Sequence, residues 1–247
     1  MEQLFTAFNS GTLSGNNPYI MKDAIRNSPH SRFFVLLLLV FFSAHYQAIA
    51  QATAPKVPTP VEFMAGNNRL FFQMVVKRKF SPNSKFGFLN VSSFSTSYDN
   101  EREELDLVAP VLINYTLYKG FGLVAGTTIN NRVGFSPLVG AQHSFTNQKW
   151  VAVTIASLFL NSSRNVELFG IYEFKPQLTP KTNLYTRVQF MYIHNTAQNF
   201  HARSFLQLRA GVKKDALNFG LGANLDQYGP EKDFKPNYGL FVGWAFL

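Results

Sequence analysis

The 247-residue chain contains no cysteine. That excludes a disulfide framework, a thiolate metal site and a lipid-modified N-terminal Cys. Charge is also scarce. Charged residues make up 15 % of the chain, and aromatics equal them at 15 %. A soluble surface normally carries about a quarter charged residues. Long apolar runs are missing. The uninterrupted run at 33–42 is ten residues long, whereas a helix needs about 20 apolar residues to cross a bilayer. With mean hydropathy near zero, a helical membrane protein is excluded. Beyond that run no segment shows a helical 3.6-residue period. Ser-His-Asp and metal-site spacings are absent too, and no cofactor is implied.

What is present begins with basic charge. The formal net charge is +9. Residues 1–50 hold Lys22, Arg26 and Arg32 against Glu2 and Asp23, a net +1 that leaves +8 for the remainder. Basic residues are scattered, with Lys77-Arg78-Lys79 as the one short run. That spread argues against a nucleic-acid partner.

The N-terminal region reads as targeting sequence. Residues 1–20 are polar and irregular. We read them as an over-extended start, with Met21 opening the true precursor. Lys22, Arg26 and Arg32 supply a positive n-region, 33–42 the apolar core, and Ala48-Ile49-Ala50 a small-x-small cleavage pattern. Segment 21–50 is therefore expected to be a signal peptide cleaved before Gln51. Pro55, Pro58 and Pro60 make 51–60 an extended linker. The domain proper is expected over 61–247.

From Asn67 onward the chain consists of strand-length segments separated by polar turns. The expected strands are 69–80, 85–97, 105–118, 121–130, 132–145, 149–160, 165–175, 183–194, 200–212, 217–226 and 237–246. Most run 10–14 residues. Soluble strands average about 5–6 residues, while tilted membrane strands need about 9–11. Length, alternation and the export signal together predict an all-β fold, a transmembrane antiparallel up-and-down β-barrel. Eleven segments make an odd count, and bacterial single-chain barrels use even numbers. A further strand hidden in 60–66 gives twelve. Ten is the alternative.

The last segment alternates most clearly. Tyr238, Leu240, Val242, Trp244 and Phe246 share one face, opposite Gly239, Phe241, Gly243 and Ala245. A final strand ending on an aromatic resembles the assembly signal of Gram-negative outer-membrane β-barrels. Here Leu247 follows the aromatic. The resemblance implies an outer-membrane location, with outer-membrane lipid and the barrel assembly machinery as partners. An envelope protein partner would remain unidentified. The resemblance also places the C-terminal end of this strand in the periplasm, which fixes the sides of every turn. Turns on both sides are short, leaving little material for a lid.

The opposite faces carry the polar side chains. Glu167 and Glu173 are expected on one lumen face, followed by Arg187 and Gln189, then Arg203, Gln207 and Arg209, then Asn218, Asn224 and Asp226. Opposite charges on neighbouring strands can pair across the ladder. These residues read as an internal ion-pair network, a selective constriction, or both. The leading expectation is a porin-like pore or small-solute transport barrel. A closed structural or interaction barrel is the alternative, and a lipid-acting barrel enzyme a second. His143-Ser144 cannot act as base and nucleophile to each other, because adjacent strand residues face opposite ways. No catalytic residue is assigned. Asp99, Glu101, Glu103, Glu104 and Asp106 read as a solvated acidic loop.

Overall fold

The computed structural model describes residues 57–99 and 105–246. The expected signal peptide, the stretch before it, most of the linker, residues 100–104 and Leu247 lie outside the described residues. Alternating side chains on segments of 8–15 residues, together with one three-residue piece, produce strands, labelled here in chain order. They are β1 (Thr59–Gly66), β2 (Arg69–Lys79), β3 (Phe86–Ser97), β4 (Asp106–Tyr118), β5 (Phe121–Asn130), β6 (Gly134–Thr146) and β7 (Trp150–Phe159). The series continues with β8 (Asn165–Phe174), β9 (Gln177–Thr179), β10 (Thr182–Asn195), β11 (Phe200–Lys214), β12 (Leu217–Tyr228) and β13 (Asp233–Phe246).

Pairing is antiparallel and sequential, and β13 pairs back onto β1 to close the ring. Both β8 and the three-residue β9 pair with β10. They are successive pieces of one stave, interrupted at Lys175-Pro176, where proline has no N–H to give to the ladder. The Pro176 carbonyl still accepts from Leu184 N at 2.9 Å. The result is a closed, twelve-stave, up-and-down barrel, with no helix among the described residues. The hidden strand expected at 60–66 is β1, and the ten-strand alternative falls.

Most expected strand ends lie within two residues of those observed. The exception is β13, which starts at Asp233 and not at 237. The β12–β13 register carries the ladder up to Tyr228↔Asp233. Only 229–232 remain as a turn, entered and left by the positive φ angles of Gly229 (70°) and Lys232 (55°). Pro236 is tolerated inside β13 because β1 pairs with β13 only as far as Gly66↔Gly239, which leaves this stretch of β13 paired with β12 alone, like an edge strand. Near β4, Pro110 opens the register between Leu89↔Leu112 and Ser93↔Val108. The Asn90 side chain crosses that gap to donate to the Pro110 carbonyl.

The two faces are chemically distinct. Outward residues include Leu221 and Leu240, 67 % and 66 % exposed. Aromatics crowd the end at which β13 finishes, called here the lower end. Phe86 packs on Tyr115 at 4.7 Å, Phe121 on His143 at 4.5 Å, and Trp150 on Phe174 at 4.3 Å between ring centroids. Tyr98, Phe135, Tyr192 and Phe234 are exposed towards the upper end. An apolar outer band flanked by aromatic girdles suits a bilayer. The lower-end turn Lys119-Gly120 has φ of 46° and 85°, the left-handed pair that tight two-residue hairpins need.

Closure depends on a seam of small residues. Gly66 and Gly239 are register partners on β1 and β13. A Cβ on Gly239 would come within 1.9 Å of the Ala65 carbonyl oxygen, and one on Gly66 within 2.1 Å of Asn237 Oδ1. The space left by Gly66 is filled by the Asn237 side chain, which is 1 % exposed. Its Oδ1 accepts from Asn68 N at 3.1 Å and Arg69 N at 3.0 Å, and its Nδ2 donates to Arg69 O at 3.0 Å. One amide therefore ties β13 to the β1–β2 turn. Asn237→Ala should destabilise the folded barrel by about 1–3 kcal/mol, the cost of orphaning buried backbone groups. Denaturant titration in lipid vesicles, followed by heat-modifiable gel migration, reads that loss.

Candidate functional site: the barrel interior

The interior is divided lengthwise by chemistry. Across β3 to β8 the inward residues are mainly apolar, with Leu89, Val91, Leu112, Val124, Leu138, Val153, Ile155, Phe159 and Ile171 buried as one cluster. The other half, β10 round to β2, carries the arginines and Glu62, while Asp106 on β4 and Glu167 and Glu173 on β8 add carboxylates from the first half. Their arrangement comes from period-two alternation on each strand, brought to common depths by the register.

At mid-height the centre is Glu62 of β1. Its Oε1 accepts from Arg187 Nη2 at 2.7 Å and from Arg209 Nε at 2.8 Å. Arg209 also donates through Nη1 to Asn224 Oδ1 at 2.9 Å and Leu208 O at 2.8 Å. Its guanidinium lies 5.5 Å from the Phe71 ring and 5.8 Å from the Phe241 ring, within cation–π range of both. Phe71 and Phe241 belong to a second buried cluster with Met64 and Tyr185. One carboxylate thus holds two arginines against an aromatic packing and links β1 to β10 and β11 across the interior.

The upper group is formed by Asp226, Asp106, Arg69 and Arg203. Arg69 pairs with Asp226 at 2.9 Å. Arg203 holds both carboxylate oxygens of Asp106 and stands 3.8 Å from Asp226. Below the waist, Glu173 accepts from Lys175 Nζ at 2.6 Å and from the Tyr185 hydroxyl at 3.2 Å.

Two cavities lie above and below the waist, of about 70 Å³ and 220 Å³, and both are bordered by Gln73, Leu89, Val91 and Phe169. Arg69 and Arg203 against Asp106, Glu167 and Asp226 give the upper lining a net −1. Lys77, Lys175, Arg187 and Lys213 against Glu62 and Glu173 give the lower lining a net +2.

The residues singled out from sequence distribute as follows. Glu167, Gln189, Arg203, Gln207 and Asp226 border the upper cavity. Glu173, Arg187 and Asn218 border the lower one. Arg209 and Asn224 are buried at the waist, 2 % and 3 % exposed. The pairing differs from the expected neighbour-strand pattern. Arg187 is in register with Glu173, yet its ion pair spans the interior to Glu62, while Glu173 pairs with Lys175.

Sequence reasoning missed Glu62, Arg69 and Gln73, all inward and buried. Alternation along 69–77 places Arg69, Phe71, Gln73, Val75 and Lys77 on one face and could have found two of them. Asp106 was grouped with the acidic loop. It is the first residue of β4 and is buried on Arg203. His143 stacks outside on Phe121, while Ser144 is in register with the buried Val153. His194 and His201 stand at the upper rim, with His201 Nδ1 donating to Gly229 O at 2.7 Å. Among the described residues no cluster of three metal-ligating side chains occurs.

No family model matches the chain, and no curated protein matches it in sequence. Solved structures do align with it at low identity. A structure described as NanC porin shows 8 % identity and a TM-score of 0.46, covering 78 % of this chain and all of that one. OmpT, an outer membrane protein of Vibrio cholerae, shows 9 % identity and a TM-score of 0.34, covering 77 % and 95 % of the two chains. A bacterial polysaccharide outer membrane secretin shows 10 % identity and a TM-score of 0.34, covering 76 % and 97 %.

Glu62→Ala should be among the most damaging substitutions in the barrel. It leaves Arg187 and Arg209 buried without their shared anion, a loss of about 3–5 kcal/mol. Unfolding in urea from lipid vesicles measures it. Wild-type stability in this variant would contradict the geometry.

Proposed function

We propose that the protein is an integral outer-membrane barrel that passes small solutes through a lumen constricted at Glu62, Arg187 and Arg209. The observation that carries this reading is a polar, charged interior inside an apolar outer band. A barrel needing only to be filled could use apolar side chains throughout, because each buried ion pair carries a desolvation cost. Here the arginines gather on one side of the lumen, and a cavity with charged lining residues lies above the waist and another below it. Charged constrictions of this kind select solutes by charge and size.

Export by the signal at 21–50 and delivery by the barrel assembly machinery through the strand ending at Phe246 complete the reading. Tyr238, Leu240, Val242, Trp244 and Phe246 form the outward face that such machinery would meet. No catalytic chemistry is assigned.

A closed structural barrel is the second reading, favoured by the packing of Met64, Phe71, Tyr185 and Phe241 at the waist. Planar-bilayer recording separates the two. The transport reading expects discrete current steps from folded protein. It also expects an asymmetric current–voltage curve, since the upper cavity is net negative and the lower net positive. Protein that folds and inserts but gives no steps supports the closed barrel.

A further inference from the structure

The cavity above the waist has unlike walls. Leu89, Val91, Leu112, Leu138 and Ile155 line one side, and Gln73, Gln189 and Gln207 the other. The three glutamines are 2 %, 1 % and 4 % exposed. Gln189 and Gln207 sit side by side as register partners. Yet Oε1 of Gln73, Gln189 and Gln207, and Nε2 of Gln73, form no hydrogen bond. Buried amides normally find partners, so these atoms are aimed at something the chain itself does not supply.

The unmet groups have a bias. Three of the four orphan glutamine atoms are acceptors. Glu167 adds a carboxylate on the same lining. It stands two residues along β8 from Phe169, in register with Ser157 and Ile193. No direct ion pair reaches it among the described residues, although the charge of Arg203 acts on it. Arg203, the nearer source of cation in register with Ile193, is held by Asp106, and Arg69 is held by Asp226. Against these acceptors the lining offers two orphan donors, Nε2 of Gln73 and Nε of Arg203. A ligand suited to this wall donates hydrogen bonds, carries positive charge, and lays an apolar body on the leucine and isoleucine side.

We propose that the upper cavity binds a small organic ammonium ion, its charged head on Glu167 and the glutamine acceptors. The volume of about 70 Å³ exceeds several-fold the roughly 10–15 Å³ that one water needs, so an alkylammonium of a few carbons fits. This deepens the transport reading by naming a solute class, and rests on it for its biological sense. The binding site itself is tested without any current.

Calorimetry on the barrel in lipid nanodiscs, with empty nanodiscs subtracted, compares butylammonium, butyrate and butanol. Saturable binding of butylammonium at least about tenfold tighter than butyrate is expected from the charge preference. Glu167→Gln should weaken it roughly tenfold, Gln189→Leu should weaken it as well, and Glu231→Gln on the exposed upper turn should leave it unchanged. Heat-modifiable migration verifies that each variant folds, and Gln189→Leu serves alone if Glu167→Gln does not. Butyrate binding as tightly as butylammonium, no saturable heat, or wild-type affinity in the folded variants overturns the site. Binding without current steps supports the site while removing transport. Current steps without binding overturn the site and leave transport standing.

Discussion

The β1–β13 ladder is the interaction on which the rest of this structure depends. Eight consecutive residues of β1 pair with β13, from Thr59↔Phe246 to Gly66↔Gly239. Without it, two strands would present open edges, and in an apolar medium every unpaired backbone group costs several kcal/mol. Closure also places Glu62 in the interior. The residue is useful only because the seam brings β1 round to face β10 and β11. The small residues at the seam make the approach possible, and Asn237 secures its upper end.

From closure follows the division of the interior. A ring of twelve staves is too wide to be filled by one layer of side chains and too narrow for a broad channel. This chain meets that condition unevenly. One half is packed with aliphatic residues, and the other half uses long arginines to reach across the lumen. Arginine suits the task because its planar guanidinium can pair with a carboxylate while stacking on aromatic rings. Arg209 does both, between Phe71 and Phe241. The resulting waist separates two cavities whose linings carry opposite net charge.

Much of the barrel wall is legible in sequence, because period two is a local property. The faces of β10, β11, β12 and β13 follow directly from alternation, as does the outward row ending at Phe246. β1 is harder. It is eight residues long, opens near Pro60 and carries a glutamate where a short strand would be expected to stay apolar. Parity of the strand count, and not its own pattern, reveals it. The interior pairings are not legible at all. Glu62 and Arg209 are 147 residues apart, and no local rule brings them together. Asp106 shows the opposite failure. Its acidic neighbours suggest a solvated loop, but the register of β4 carries it inside. Inward residues can be read from sequence residue by residue, whereas their partners depend on how the ring closes.

The absence of cysteine makes closure directly testable. Phe63 and Val242 are register partners on β1 and β13, and both point outward, 49 % and 48 % exposed. A Phe63→Cys/Val242→Cys variant should form an intramolecular disulfide when the folded barrel is oxidised in membranes, since cross-strand neighbours lie within bridging distance. Phe63→Cys paired with Leu225→Cys should stay reduced. The account predicts the first cross-link without the second. Free thiols in the folded Phe63→Cys/Val242→Cys variant would contradict a ring closed through β1.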